Sequence, residues 1–100
     1  MDENKILPVH PGEILLEDYL KPLGISQNQL ALSMRVPANR VSEIIQGKRS
    51  ITADTALRLA IVTGTTSQFW MNLQTRYDLR VTQDALGDRL AREVLHITQP

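Results

Sequence analysis

Between positions 26 and 48 the chain reads SQNQLALSMRVPANRVSEIIQGK. The second half of this stretch carries Asn39, Arg40, Ser42, Glu43 and Gln46, interleaved with Val41, Ile44 and Ile45. These polar groups are suited to reading edges of nucleic-acid bases. A carboxamide such as that of Asn39 donates an N–H to adenine N7 and accepts from the N6 amino group, forming two bonds at once. The Glu43 carboxylate accepts from a cytosine amino group, and Ala38 is small enough to touch a thymine methyl. Arg40, on the edge of the set, reaches a guanine or a phosphate. Gln27 and the loop Gly47-Lys48-Arg49-Ser50 suit phosphate oxygens, which position a protein without specifying sequence.

Catalytic chemistry has little to rest on. The chain has no cysteine, which removes thiolate nucleophiles, zinc thiolates and disulfides. Ser, His and Asp occur without a nucleophile signature, and there is no glycine-rich phosphate loop; the chain does not read as an enzyme. His10 and Glu13 stand three residues apart and could supply two metal ligands, but a third is not evident, so neither a metal nor another cofactor is expected. His10 more simply helps to start a helix. Glu13, Glu17 and Asp18 form a solvated acidic face, or a contact for a basic partner. Phe69 and Trp70 could stack on single-stranded bases, but their apolar neighbours favour a core or dimer interface.

The elements that position these groups are helices. Pro11 suits a first helical turn, and Ile14, Leu15, Tyr19 and Leu23 are expected to face inward before Pro22 and Gly24 close the helix. A second helix starts at Ser26, with Gln29 three residues on as a capping box and Leu30, Ala31 and Met34 inside. The third runs from about Pro37 to a left-handed stop at Gly47. The fourth spans about 52–62, with Asp54 favourable in its first turn and Ala56, Leu57, Ala60 and Ile61 inward. The fifth follows the hydroxyls of Thr65, Thr66 and Ser67 and carries Phe69, Trp70, Leu73 and Tyr77 at helical spacing. A sixth is expected at about 83–96, with Leu86, Leu90, Val94 and Ile97 as an apolar stripe. Leu86, Leu90 and Val94 suit a dimer or partner surface, or pack back on the fifth helix. The fold class is therefore all-α. The chain divides into an arm at 1–10, a compact unit at 11–80 and a helical extension at 81–100.

At 100° per residue, Val41, Ile44 and Ile45 define the inner face of the third helix, leaving Asn39, Glu43 and Gln46 opposite and Ser42 beside them. Two short helices joined through Met34-Arg35-Val36, the second polar on its outside, make a helix-turn-helix. Such a corner lets one helix cross the phosphate backbone while the next lies in the major groove. The bland alternative is a solvated face with an Arg40–Glu43 pair at i,i+3, worth a few tenths of a kcal/mol.

Charge supports the first reading. The chain has 100 residues and a net charge of zero, but its charge is unevenly spread. Residues 1–25 hold two Lys against five Asp and Glu, whereas residues 26–58 hold five Lys and Arg against two acids. Local potential, not total charge, governs binding to phosphate. The length fits one domain. No apolar run approaches a membrane span, and the acidic start does not resemble a signal peptide, so a cytoplasmic protein without membrane contact is expected.

Residues 24–48, GISQNQLALSMRVPANRVSEIIQGK, resemble the helix-turn-helix of phage-repressor type, the Cro/C1 or XRE class, whose lambda-repressor-like domain has five helices. Together with HPGEILLEDYLKPLGIS, GKRSITADTALRLA and FWMNLQTRYDLR, the wider chain resembles HigA-type, VapI-like antitoxins. The resemblance implies a bacterial antitoxin that neutralises a small ribosome-dependent RNA-cutting toxin and represses its own operon. It also implies a homodimer on double-stranded operator DNA. Carried over by position, Ala38, Asn39, Arg40, Ser42 and Glu43 would read bases, while Gln27, Gln46, Lys48 and Arg49 would meet the backbone. Two departures stand out. Arg35 occupies a turn position where this class often has Gly, and Ala38 stands where well-known repressors often carry Gln. Alternatives in other classes are a stand-alone repressor without a toxin and a protein-binding adaptor.

Overall fold

The computed structural model describes residues 7–98, and all its regular structure there is helical. Expectations for residues 1–6 and 99–100, including most of the arm, lie outside the described residues. Helix α1 covers residues 11–23. It begins as Pro11–Ile14, widens into a π-helical turn at Leu15–Leu20 and finishes at Lys21–Leu23. Then follow α2 (Gln27–Met34), α3 (Ala38–Ile45), α4 (Ala53–Thr63), α5 (Ser67–Leu86) and α6 (Arg89–Glu93).

The wide turn changes the inner face of α1. In a π turn the hydrogen bond closes over five residues, and here the Lys21 N–H reaches the Leu16 carbonyl. Leu15 and Leu20, five apart, are both buried, whereas Leu23, expected inside, is 63% exposed. Pro22 lacks the N–H that would resume the ordinary ladder one residue later. His10 caps the helix: its Nδ1 accepts from the Gly12 N–H at 2.9 Å.

The core joins Leu15 and Leu20 of α1, Leu30, Ala31 and Met34 of α2, and Val41 and Ile44 of α3. Ile51, Ala56, Leu59 and Trp70 complete it. Removing each large apolar side chain in this set from water contributes about 1.5–3 kcal/mol before entropy is counted. Trp70 is fully buried, 5.4 Å from the Tyr19 ring, with its indole N–H donating to the Thr65 hydroxyl at 2.8 Å. It is a core residue, not a stacking platform.

Helix α4 is rotated from the expected phase. Thr55, Ala56 and Leu59 are buried, while Leu57 and Ile61 are 59% and 82% exposed. Core packing of Ala56 and Leu59 sets the rotation, and Asp54 and Arg58 fall at its edge. Asp54 pairs with Arg40, and Arg58 donates to the Met34 carbonyl. With Thr55, Ala56 and Leu59 inward, Asp54 and Arg58 lie along one edge, and at 100° per residue Leu57 and Ile61 fall on the far side.

The C-terminal expectation also needs correcting. Helix α5 continues to Leu86 without a break, and the expected helix at 83–96 is only Arg89–Glu93. Gly87 interrupts at φ 56° and ψ −134°, a conformation open to a residue without Cβ. Val94 is already extended. Leu86 (half-buried), Leu90 and Val94 (both exposed) therefore lie on three separate segments and do not form one helical stripe.

Candidate nucleic-acid interface

The corner is built from local rules. The Ser26 hydroxyl accepts from Gln29 N–H at 3.1 Å, and the Gln29 side chain accepts from Ser26 N–H at 2.8 Å. This is the reciprocal capping box the sequence implies. Helix α2 stops where Arg35 adopts φ 60° and ψ 45°, the one non-glycine residue with positive φ among those described. The following Val36 N–H returns to the Ala31 carbonyl at 3.1 Å, satisfying a group the helix end would orphan. Pro37 then supplies an extended N-cap for α3. A left-handed arginine is strained by about 1–2 kcal/mol, offset by burial of Met34 and Val41 on the two sides of the corner.

Val41 and Ile44 face inward and are buried, with Ile45 half-buried, as their spacing implies. Ala38, Asn39 and Gln46 are exposed, and Arg40, Ser42 and Glu43 are half-buried. The structure thus brings the five candidate base readers together on one short helix. Beyond its end, Gly47 takes φ 77°, its N–H bonds to the Ile44 carbonyl, and the Lys48 N–H bonds to the Glu43 carbonyl at 2.8 Å. Lys48 and Arg49 are thereby held exposed at the end of α3, and the half-buried Gln27 sits in the first turn of α2.

The i,i+3 pair of Arg40 with Glu43 does not form. Arg40 donates to Asp54 at 2.6 Å, and Glu43 accepts from Arg49 at 2.7 Å. Both alternative partners lie on neighbouring segments, on the edges to which the two α3 side chains already point. Asp54 also receives Arg58 at 3.1 Å. The Arg40 guanidinium foremost, and the Arg58 guanidinium after it, hold the Asp54 carboxyl below its ordinary range. The charged groups on α3 are thus tied within the chain, while Asn39 and Gln46 have no side-chain hydrogen-bond partner among the described residues.

The support behind α3 was less legible. Gly12 of α1 presses against it so closely that an added Cβ would overlap the Ile44 carbonyl oxygen. His10 stands edge-on to Tyr77 at 4.9 Å, with Gly47 beside its ring. Burial pulls its pKa below the usual histidine value, partly opposed by the charges of Asp78 and Glu13 and by the Arg49 carbonyl. Gln74, buried on α5, accepts from the Ile51 N–H at 2.7 Å and donates to Asp78 at 2.9 Å. The only sequence signal for Gln74 is its place four residues after Trp70; for Asp54 and Arg58 it is their i,i+4 spacing.

Comparison with known proteins places this geometry among related chains. A family model described as helix-turn-helix matches residues 16–70. Virulence-associated protein I of Dichelobacter nodosus is 48% identical over 81 residues, covering 81% of this chain and 75% of the relative. A solved addiction-module antidote protein of the HigA family from Coxiella burnetii is 48% identical. It superposes with a TM-score of 0.86 over 91% of this chain and 99% of its own. The Pseudomonas aeruginosa antitoxin HigA, solved with the higBA promoter, is 40% identical, with a TM-score of 0.86 over the same shares.

Proposed function

Because the chain belongs to the Cro/C1-type helix-turn-helix family, in its HigA-like branch, we propose that it is a DNA-binding antitoxin. It represses its own operon through α3 in the major groove and neutralises a small RNA-cutting toxin. The observation that carries the DNA-binding half is the exposed polar face of α3, delivered by a strained corner that a merely solvated helix would not require. Asn39 reads adenine; Ala38, Ser42 and Glu43 read neighbouring base edges; Arg40, at the rim, meets a guanine or a phosphate. Gln27, Gln46, Lys48 and Arg49 hold the backbone.

A homodimer sets two copies of α3 in successive major grooves, about 34–36 Å apart. Residues 11–80 form the DNA-binding unit. The extension from 81, with Leu86, Leu90 and Val94, supplies dimer or toxin contacts. Among the described residues no helix is long and apolar enough to cross a membrane, and the proposed work is cytoplasmic and non-catalytic.

The test has two arms. Cells expressing the open reading frame adjacent to this gene are grown with and without this protein. Rescue from growth arrest supports the antitoxin, and arrest without rescue refutes it. Selection of duplexes from a random pool by the purified chain tests the DNA reading, which fails if no sequence is enriched.

A further inference from the structure

The rim of α3 carries an electrostatic arrangement that base reading does not require. A cleft of about 390 Å³ opens between α3 and the start of α4. Arg40, Arg49, Ser50, Thr52, Thr55 and Arg58 line it around Asp54. Two guanidiniums, those of Arg40 and Arg58, thus share the Asp54 carboxylate, while Arg49 is paired with Glu43. The two partners of Asp54 differ. Arg58 is anchored a second time by the Met34 carbonyl at 2.9 Å. Arg40 is held by Asp54 alone among the described residues. Asp54 is 55% exposed, so water screens the pair and it can be exchanged.

We propose that Asp54 is an internal stand-in for a DNA phosphate, clamping Arg40 in the free protein and yielding it to a backbone phosphate when duplex binds. The inference rests on the DNA-binding reading and refines the role of Arg40 to a conditional phosphate contact. The chemistry of the exchange is matched. A phosphate offers the guanidinium fork the same pair of oxygen acceptors as a carboxylate, with more negative charge nearby along the strand. Ser50 places a hydroxyl donor in the same cleft. Until the exchange occurs, Asp54 repels the duplex and cancels one cation of the rim. The clamp therefore lowers affinity for duplex that does not seat well enough to displace it.

The experiment uses a random-sequence duplex of about 30 base pairs, titrated between about 50 and 200 mM salt. It compares the parent, Asp54→Asn, Arg40→Ala and the double variant, with folding checked by circular dichroism and Asp54→Ser as a second release variant. The clamp predicts that Asp54→Asn binds about 3- to 10-fold tighter, with a salt slope steeper by about one unit. Arg40→Ala in the same chain abolishes that gain. Unchanged or weaker binding by both Asp54 variants overturns the clamp. So does a gain that persists undiminished without Arg40, because simple removal of a negative charge would act independently of that residue. Failure of the parent to bind the duplex at low salt overturns the DNA-binding reading itself, and the clamp falls with it.

Discussion

Gly12→Ala tests how α3 is held in place. A Cβ at Gly12 would overlap the Ile44 carbonyl oxygen and sit 2.7 Å from the Ile44 carbonyl carbon and 2.9 Å from Ile45 Cα. Carbon atoms in contact prefer about 3.5–4.0 Å. The obstacle is backbone, so no rotamer change relieves it. The Ile44 carbonyl cannot swing aside without releasing the Gly47 N–H bonded to it at 3.0 Å. Nor can α1 slide freely, because its Leu15 and Leu20 are buried in the core. The helices must separate, and overpacking of this kind costs about 1–3 kcal/mol, more where backbone must move. Alanine's better helix propensity returns up to about 1 kcal/mol. The rigid backbone obstacle puts the overpacking cost at the upper end of its range, so a net loss of about 2 kcal/mol is expected, or a fall in Tm of roughly 8–16 °C for a domain of this size. Urea unfolding followed by Trp70 fluorescence measures it, since that indole is fully buried. Gly24→Ala is the comparison: φ there is +66° but nothing lies within 4 Å, so only the left-handed penalty of about 1 kcal/mol applies. A Gly12→Ala chain within 0.5 kcal/mol of the parent, or no worse than Gly24→Ala, would refute the argument that backbone contact sets the α1–α3 spacing.

Further outcomes follow from other sites. Arg35→Gly should stabilise by about 0.5–1 kcal/mol, because relief of the left-handed strain exceeds glycine's extra unfolded entropy; Arg35→Ala keeps its Cβ and should not, and equal gains in urea melts would disprove the strain. His10 has a lowered folded pKa, so the unfolded chain takes up its proton first as pH falls. Stability should be full above the unfolded value near 6.5 and decline as pH drops from there through the folded value, by at most about 1.4 kcal/mol per pH unit; His10→Asn, which keeps a capping acceptor, should flatten that decline in melts between pH 7.5 and 5.5. Gln74→Leu leaves the Ile51 N–H without its partner and should cost about 1–3 kcal/mol, so a neutral melt would count against that bond. Asn39→Ala should weaken binding to the selected duplex by about 1–3 kcal/mol and relax preference at one base pair. Lys48→Ala should weaken all duplexes alike and flatten the salt slope by about one unit; an unchanged slope removes the phosphate contact.

Much of this protein is local enough to be written in its order of residues. The capping box at Ser26 and Gln29, the stop at Gly47 and the inward set Val41, Ile44 and Ile45 depend on neighbours within a turn or two. The helix-turn-helix and the membership of the outward face are therefore legible without coordinates. The resemblance singled out Arg35, where this class often has Gly, but the left-handed backbone there was shown by the structure. Tertiary contacts decided the rest. The phase of α4 was set by Ala56 and Leu59 packing into a core built from helices distant in the chain, which leaves Asp54 and Arg58 on the edge that reaches Arg40 and Met34. Periodicity alone cannot rank that face against the equally apolar pair Leu57 and Ile61. The π turn in α1, the continuation of α5 to Leu86 and the approach of Gly12 to α3 likewise follow from how helices meet. The partners of Arg40 and Glu43 could not be read from spacing, because a long charged side chain takes the best counter-charge within reach, and only the folded chain brings Asp54 and Arg49 there.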